Sequence, residues 1–423
     1  MRICPRVLPD PRRNTVSRLP LLALTAAGAL LGSATLRAQT APPAVTRVDL
    51  AAAYQRIDRA LTTATLDDTT RATVNRTFDR ATLSFFGGRF AAAVAAIDSA
   101  TRLVAPGITI PAPVAAPPAP TAPRVIDGVY ASAVRARLQD RLGAIAARDS
   151  TNGRDTTAAR RQVLASAAAR AALLVDVPNP ERSAEFLSDA PSLAKALAAE
   201  VDAIERGRDP YAHAAGDLWR VFRAGKNVPT DAAGALMVPF RLVASPAVAS
   251  SARGVPVVLA LHGAGGDENM FVDAYGAGMI ATLARERGFL LVSVATSAFA
   301  GSADNFDALL ALLRTEYAID STRVYVLGHS MGAGAASRLA QLRPQAIAAA
   351  VCLAGGSAVT VEGAPPVFYM SGELDPIIPA KSVQAAALRT PTGEFHLLPN
   401  QGHTLMVADG VKAGIPWLLA RHR

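Results

Sequence analysis

Apolar side chains in the first part of the chain recur at spacings of three and four residues, the period of an amphipathic helix. Between residues 48 and 104 this pattern defines three apolar faces: Leu50, Tyr54, Ile57 and Leu61; Val74, Phe78, Ala81 and Phe85; and Phe90, Val94 and Ile97. Gly87 and Gly88 interrupt the pattern between the second and third faces, as expected where a helix ends. We therefore predict that residues 39–104 form a small helical bundle.

A proline-rich segment, residues 105–124, separates this bundle from a second helical region. It contains seven prolines, and proline can neither continue a helix nor donate a hydrogen bond to a sheet. We predict an extended linker that lets the bundle move semi-independently. Helical spacing returns in residues 125–208, where no convergent set of polar residues indicates chemistry. Two apolar faces mark this region: Val134, Leu138, Leu142 and Ile145; and Leu193, Leu197, Val201 and Ile204.

From residue 209 onward the pattern changes to short apolar runs that alternate with helical segments. Eight of these runs indicate strands: 218–222, 236–243, 255–261, 289–294, 324–327, 347–353, 366–370 and 394–398. Alternation of strands and helices predicts a mostly parallel sheet with helices on both faces. The expected fold class is therefore α/β, with residues 209–423 as one domain that follows an all-α N-terminal region.

One of these runs ends in Gly328-His-Ser330-Met-Gly332 and passes directly into an alanine-rich helical segment. Gly-x-Ser-x-Gly between a strand and a helix is typical of a nucleophile elbow, a sharp turn that presents serine above a sheet. The glycines let neighbouring backbone approach the turn, and the N–H of Met331 can point at a developing oxyanion. Ser330 is the candidate nucleophile, and the alternative is a Gly-Ser turn without chemistry.

A serine nucleophile needs a histidine base and a carboxylate that orients the base. Both are expected after the serine along the chain. Asp375 comes just after an apolar run, in a turn-forming Asp-Pro pair, and His403 follows the last predicted strand. Glu373 and His396 are the rivals, but Glu373 fits the turn less well and His396 lies inside a strand pattern. We therefore predict that Ser330, Asp375 and His403 form a triad where the strands end.

The loop after the run 255–261 is rich in small residues, which let backbone N–H groups approach a substrate. Ala264 is the first candidate for the second oxyanion donor, and Gly263 is the runner-up. His262 is expected to brace this loop rather than to act as a base. A glycine-rich loop can also hold phosphate, but no lysine follows here as a nucleotide-binding loop requires.

Residues 210–423 resemble the α/β-hydrolase superfamily. Three stretches carry the resemblance: Leu-His-Gly-x-Gly-Gly-Asp-Glu-Asn, Gly-His-Ser-Met-Gly and Gly-x-x-Asp-Pro-x-x-Pro. Within the superfamily they are similar to exported esterases related to polyhydroxybutyrate depolymerases and feruloyl esterases, with prolyl-oligopeptidase-like hydrolases nearby. The resemblance implies a triad and two oxyanion amides on these residues: Ser330, Asp375 and His403; Ala264 and Met331. Unlike secreted depolymerases, the chain has neither paired cysteines nor a recognisable polymer-binding module.

The expected substrate site is shallow and open. Six residues are expected to contact the substrate or shape its pocket: His262, Gly263, Met270, Phe271, Phe299 and His329. The connection 354–365 is where a lid could be inserted, but it has almost no large apolar residues and so cannot form an amphipathic lid. We therefore predict hydrolysis of soluble short-chain or aromatic esters without interfacial activation.

The net charge of +9 falls to +4 beyond residues 1–38, which hold six Arg and one Asp. No lysine or arginine run stands out, so no nucleic-acid partner is expected. Residues 1–38 combine a basic start with an apolar stretch that ends at Ala38, the pattern of an export signal. The alternative is a membrane anchor. We expect a periplasmic or secreted protein without stable membrane insertion and, since Cys352 is then the lone cysteine, without an internal disulfide.

The predicted function is that of an exported serine hydrolase that cleaves small or oligomeric carboxylic esters, with no cofactor and no metal. A peptidase or acyltransferase could use the same triad. A third possibility is a helical binding or scaffold protein that carries an inactive hydrolase domain. Partners of the helical region are not predicted.

Overall fold

The computed structural model describes five ranges of the chain: residues 45–110, 123–151, 157–224, 237–300 and 303–423. Residues 42–423 form one compact unit. The predicted export signal lies outside the described residues, as does most of the proline-rich linker. No helix within the five ranges is both long and apolar enough to cross a membrane.

Three N-terminal helices form where the three apolar faces predict them: α1 (Arg47–Thr63), α2 (Asp68–Phe86) and α3 (Phe90–Val104). Thr46 and Asp49 form a capping box at the start of α1, which satisfies N–H groups that have no partner inside the helix. Ile57, Phe78 and Ile97 are each at most 2% exposed. These residues come from α1, α2 and α3 respectively, so the three helices share one core.

The second helical region contains a short hairpin and four helices: β1 (Val125–Ile126), β2 (Val129–Tyr130), α4 (Ala131–Thr151), α5 (Ala158–Ala171), α6 (Ser183–Leu187) and α7 (Ala190–Glu205). Leu138 and Leu142 of α4 pack with Leu197 and Val201 of α7 in a second helical core. The predicted apolar faces on α4 and α7 are therefore the faces that meet.

Eight strands form the main sheet: β3 (Gly216–Arg223), β4 (Met237–Ala244), β5 (Val255–Leu261), β6 (Leu290–Val294), β7 (Ile319–His329), β8 (Ala349–Leu353), β9 (Val367–Gly372) and β10 (Gly393–Leu398). Their order across the sheet is β10-β9-β8-β7-β5-β6-β4-β3. Strands β5 to β10 pair in parallel, while β4 pairs antiparallel with both β3 and β6. The predicted strands are present, and the sheet is mostly parallel as predicted.

Helices cover both faces of this sheet: α8 (Pro246–Ala249), α9 (Tyr275–Arg287), α10 (Ser297–Ala300), α11 (Asp304–Glu316), α12 (Met331–Leu342), α13 (Ala380–Arg389) and α14 (Met406–Leu419). Leu309 and Leu339 belong to the core on one face, and Ile280 and Ile415 to the core on the other. Every residue of β5 is buried, because a central parallel strand has helices on both sides.

Helix α5 protects the edge strand β3. Side chains of Gln162 and Ser166 both donate to the carbonyl of Val221. Arg170 donates to the carbonyl of Trp219 at 2.6 Å. These bonds satisfy backbone groups that an edge strand otherwise offers to another chain, so the second helical region closes one side of the sheet.

Helix α1 packs against α9 and against the π-helical turn Met270–Ala274, which immediately precedes α9. Asp58 of α1 is buried at this contact, where its carboxylate faces the backbone N–H groups of Ala277 and Gly276. Both residues have positive φ, 56° and 60°, and successive N–H groups in turns of this kind can form a concave site for an anion. The structure therefore differs from the expected semi-independent bundle, because α1 is anchored to the sheet domain.

The buried Asp58 is expected to make the stability of the protein depend on pH. Burial raises the pKa of Asp58 from 3.8 to about 8, against the lowering effect of the N–H groups of Ala277 and Gly276. Between these values the folded chain keeps a proton that the unfolded chain has released, so the free energy of unfolding falls as the pH rises. The side chain that Asp58→Asn introduces cannot ionise. In this variant the free energy of unfolding should therefore fall less steeply with pH, by at most about 1.4 kcal/mol per pH unit. Urea unfolding from about pH 5 to about pH 8 measures it.

Asp67→Asn is the matched control for this measurement. Asp67 is the exposed N-cap of α2, and the N–H and side chain of Thr70 lower its pKa. It has therefore released its proton in both states over this range, and its replacement should leave the slope unchanged. Equal slopes for the wild type and Asp58→Asn would contradict the prediction.

Candidate active site

Strand β7 turns into helix α12 at Ser330, as the elbow motif predicts. Ser330 has φ 54° and ψ −115°, a conformation that strains any residue with a side chain. A Cβ on Gly328 would overlap the carbonyl of Gly332, and a Cβ on Gly332 would overlap the carbonyl of Leu261. Glycine at both positions is therefore what allows the sharp turn to form.

The side chains of Ser330, His403 and Asp375 meet beyond the C-terminal ends of β7, β10 and β9. Nε2 of His403 lies 3.0 Å from Oγ of Ser330. Nδ1 of the same ring lies 2.7 Å from Oδ2 of Asp375. These are hydrogen-bond distances, and they connect hydroxyl, imidazole and carboxylate in the order that can remove the serine proton.

The carboxylate of Asp375 is held by its own turn. Its Oδ1 accepts the N–H groups of Ile377 at 2.8 Å and Ile378 at 2.9 Å. This arrangement fixes Oδ2 toward the ring of His403. Both Asp375 and His403 are buried, so water competes little for the hydrogen bond between them.

The two rival residues have other surroundings. The carboxylate of Glu373 accepts the N–H of Asn400 at 3.0 Å. His396 is exposed on the edge strand β10, where its ring contacts that of Phe368. The geometry therefore favours the predicted acid and base over these rivals.

The oxyanion candidates come from two different segments, the start of α12 and the loop after β5. Met331 is the first residue of α12, and the first N–H groups of a helix have no acceptor within it. Ala264, in the loop after β5, lines the same cavity as Ser330. The N–H of Gly263 donates to the hydroxyl of Tyr275 at 3.3 Å. This contact favours Ala264 over Gly263 as the second donor.

A series of hydrogen bonds connects the loop after β5 with the loop of His403. Beyond the Gly263 contact, the hydroxyl of Tyr275 lies 2.9 Å from Nδ1 of His329. Nε2 of His329 lies 3.0 Å from the carbonyl of His403. A carbonyl only accepts, so Nε2 carries the proton and Nδ1 accepts from Tyr275. Burial, together with His403, lowers the pKa of His329 well below its ordinary value, which keeps this bridging ring neutral.

His262 braces the loop after β5 and is not among the residues that line the cavity. Its Nδ1 lies 2.7 Å from the carbonyl of Gly263, and its Nε2 accepts the N–H of Thr296 at 3.0 Å. Burial lowers the pKa of His262, although the carbonyl of Gly263 raises it. Both ring nitrogens are engaged, so the predicted contact between His262 and substrate is corrected to a bracing role.

A cavity of about 190 Å³ lies beside Ser330 and His403. Its walls combine the loop after β5 with helices α1, α2 and α6. The large apolar side chains that these helices contribute include Leu50, Tyr54, Phe78, Phe85, Phe86 and Phe186. The connection 354–365 forms no helix, and the N-terminal helices supply walls of the site instead. The site is therefore deeper than the shallow site we expected.

Two of the predicted pocket residues lie in the cores instead. Phe271 is fully buried against Tyr275. Phe299 is fully buried against Phe222, in the core on one face of the sheet. Both belong to short helical turns whose large side chains point toward the sheet, a direction that the sequence of a loop does not reveal. The other predicted pocket residues do line the cavity: Gly263, Met270 and His329.

The N-terminal half also braces the loop that carries Ala264. Nη1 of Arg47, on α1, donates to the carbonyl of Gly265 at 3.3 Å. Phe85, on α2, packs directly on Gly265. Oγ of Ser183, on α6, hydrogen-bonds the carboxylate of Asp267. The spacing of apolar residues predicts the apolar face of α2, but it does not indicate what that face contacts.

Side chains that could hold a metal ion do not cluster in the described part of the chain, where no group of three or more His, Cys, Asp or Glu is suitably placed. Cys352 is a free, buried thiol on β8. Burial raises its pKa to about 12, with a hydrogen bond from Ser337 opposing the shift. The thiol therefore stays protonated, which is not its nucleophilic form.

A family model described as "Serine aminopeptidase, S33" matches residues 268–390. Among solved structures, a thermostable esterase is 23% identical with a TM-score of 0.37, over 49% of this chain and 63% of that chain. The Staphylococcus aureus fluorophosphonate-binding serine hydrolase FphF is 15% identical with a TM-score of 0.39, over 48% and 98%. A ferulic acid esterase is 11% identical with a TM-score of 0.37, over 48% and 96%. A search of curated proteins gave no significant match.

The match to the thermostable esterase thus spans less than two thirds of that enzyme. The family model begins within the loop after β5 and includes the elbow and Asp375, while His403 follows it in the same sheet domain. The mostly parallel sheet, with the serine at a strand-to-helix elbow, is the architecture in which this motif is known. From residue 209 onward, the chain therefore has the α/β-hydrolase fold, and residues 268–390 within it match this family model.

Proposed function

We propose that this protein hydrolyses carboxylic esters through an acyl-enzyme formed on Ser330. The observation that carries the proposal is the pair of hydrogen bonds, 3.0 Å from Ser330 to His403 and 2.7 Å from His403 to Asp375. This geometry lets the imidazole take the proton of the serine hydroxyl while the carboxylate stabilises the imidazolium that results.

In the first half of the reaction, Oγ of Ser330 attacks the ester carbonyl as its proton moves to Nε2 of His403. The carbonyl oxygen becomes an oxyanion, which the N–H groups of Ala264 and Met331 would stabilise. The C–O bond to the alcohol then breaks, and His403 returns the proton to the leaving alkoxide. The products of this half are the free alcohol and the acyl-Ser330 ester.

In the second half, water replaces the alcohol. His403 removes a proton from water as the oxygen attacks the acyl carbon, and the same N–H groups stabilise the second oxyanion. The bond from the acyl carbon to Oγ breaks, and the proton on His403 returns to Ser330. The acid product leaves, and the enzyme regains its starting protonation state.

The cavity supports a substrate with a compact apolar group. Its volume is about 190 Å³, while an engineered cavity of about 150 Å³ is enough to hold benzene. Aromatic and aliphatic side chains from α1 and α2 line it, and such surfaces favour an apolar ligand. An aryl or short alkyl group attached to the ester carbonyl therefore fits, whereas a long fatty acyl chain does not.

The charges around the cavity favour an ester over the free amino terminus of a peptide. An aminopeptidase needs a carboxylate for the ammonium group of its substrate, since a desolvated ammonium must be paired. Three carboxylates line the cavity, each with a partner in the protein: Glu181 with Arg47, Asp267 with Ser183 and Asp273 with Arg241. Because these three carboxylates already have partners in the protein, they are poorly placed to pair with an ammonium group. The cavity therefore favours a substrate whose group at this site is neutral.

We expect kcat/KM for p-nitrophenyl esters to be highest for butyrate or benzoate and at least about tenfold lower for palmitate, a difference of about 1.4 kcal/mol in transition-state binding. Phe85→Ala enlarges the cavity and should move the preference toward longer acyl groups. An initial-rate series from acetate to palmitate, with aminoacyl p-nitroanilides beside it, measures both expectations.

Phe368→Ala is the matched control for this series. Phe368 stacks on Trp417 near the edge of the sheet and does not line the cavity, so its loss should leave the acyl preference unchanged. Highest activity on palmitate with a rise at the micellar concentration would contradict the cavity argument. Faster turnover of the aminoacyl anilides would favour a peptidase, and a protein inactive on both classes would favour the scaffold interpretation.

A further inference from the structure

Helix α2 presents three polar side chains to the loop that carries His403. Asn75, Asp79 and Thr82 are spaced four and three residues apart, so they lie on one face of the helix. Asn75 and Asp79 are each 3% exposed. A helix face that served only for packing would carry apolar residues here, because burying polar groups costs free energy unless each finds a partner.

The partners of these side chains are three consecutive residues of the histidine loop. The N–H of Gly402 donates to Oδ1 of Asn75 at 2.8 Å. The N–H of His403 lies 3.2 Å from both carboxylate oxygens of Asp79. Oγ1 of Thr82 lies 3.2 Å from Oγ1 of Thr404. Each of the three polar side chains on α2 therefore hydrogen-bonds a different residue of the loop.

These contacts complete the hold on His403. Its ring is fixed by Asp375 and Ser330, and its carbonyl accepts from His329. Its N–H is held by Asp79. A shift of this loop would move Nε2 away from Oγ of Ser330, and a misplacement of about 1 Å can cost about 10²-fold in rate.

We propose that Asn75, Asp79 and Thr82 are positioning residues for the catalytic histidine. The N-terminal helices then supply part of the catalytic apparatus, in addition to a wall of the substrate cavity. The proposal rests on the proposed function, because it assumes that His403 is the base for Ser330. Asp79 acts through the backbone of His403 and does not line the cavity.

The environment of Asp79 predicts how firmly each variant at this position should hold the loop of His403. Burial raises the pKa of Asp79 to about 7; the N–H and ring of His403 lower it, and Asp375 adds to the rise. Either protonation state offers an oxygen to the N–H of His403. Asparagine keeps one acceptor oxygen but places an NH2 group where the other oxygen stood, and alanine keeps no acceptor. The hold on the loop should weaken from aspartate to asparagine to alanine.

The test compares Asp79→Asn and Asp79→Ala with Asp58→Asn as the matched control. Asp58 is also a buried carboxylate of the N-terminal helices that faces backbone N–H groups, but those of α9. We expect kcat to fall at least about tenfold for Asp79→Asn and about 10²-fold for Asp79→Ala, with KM within about threefold of the wild type. Asp58→Asn should keep kcat within about twofold, whatever its melting temperature.

Labelling of the wild type by a fluorophosphonate is measured first, because absence of labelling at Ser330 would remove the proposed function itself. With labelling present, a kcat for Asp79→Asn equal to that of Asp58→Asn would overturn the positioning role. If Asp79→Ala does not fold, Asp79→Asn and Asn75→Ala decide the question by the same comparison. A loss that appears in KM alone would also overturn the proposal, since it would indicate a substrate contact instead.

Discussion

Replacement of Ser330 or His403 by alanine is expected to lower kcat by at least about 10⁴-fold. Without Ser330 there is no Oγ to attack the ester carbonyl. Without His403 the hydroxyl loses the base that takes its proton, since its hydrogen bond within the described residues is to Nε2 at 3.0 Å. Asp375→Ala should cost less, because the imidazole remains but loses its orienting carboxylate. Steady-state rates on p-nitrophenyl butyrate measure all three.

His396→Ala is the control for His403→Ala. It removes the same side chain from an exposed position on β10 and should leave most of the activity. Circular dichroism and melting temperatures should be close to wild type for Ser330→Ala, since only one oxygen is lost. A loss for His396→Ala that matched the loss for His403→Ala would contradict the choice of base.

A shortened chain that begins near Asp209 is expected to lose at least about 10²-fold in kcat/KM or to aggregate. It lacks the helices that wall the cavity, the Arg47 contact with Gly265 and the Asp79 contact with His403. It also exposes apolar surface around Leu405 that α1, α2 and α3 cover, and large exposed patches promote association. A bundle that moved semi-independently, as predicted from the proline-rich linker, would have no such effect on activity.

Cleavage within the linker provides the control for this deletion. A protease site is inserted between residues 111 and 122 and cut after folding. The cut breaks the covalent connection between helices α1 to α3 and the rest of the chain but leaves their buried contacts in place. We expect the cut protein to keep nearly full activity and to elute as one species in gel filtration. A soluble shortened chain with the activity of the intact protein would show that the helices are dispensable.

The sheet and the elbow could be predicted because local sequence determines them. The run 255–261 is buried throughout, and a continuous apolar run of that length is typical of a central parallel strand. Gly328 and Gly332 mark the elbow because any side chain at either position would overlap backbone. Asp375 and His403 followed from the order of functional residues along the chain and from their places after strands.

The walls of the site could not be predicted in the same way. Periodicity identifies the apolar face of α2, but it does not say that Phe85 packs on Gly265, which lies far away in the sequence. The composition of a proline-rich linker describes its stiffness and says nothing about whether the bundle before it docks. The polar residues beside the apolar face, Asn75 and Asp79, have an explanation only once Gly402 and His403 are seen opposite them.

The measurement that tests the central claim most directly is covalent trapping of the nucleophile. The purified full-length protein is treated with a fluorophosphonate, digested, and the modified peptide is sequenced by mass spectrometry, with Ser330→Ala and His403→Ala treated in parallel. The account predicts one modification, on Ser330, that is absent from Ser330→Ala and at least about 10³-fold slower in His403→Ala. An unmodified Ser330, or equal labelling of the wild type and Ser330→Ala, would contradict it.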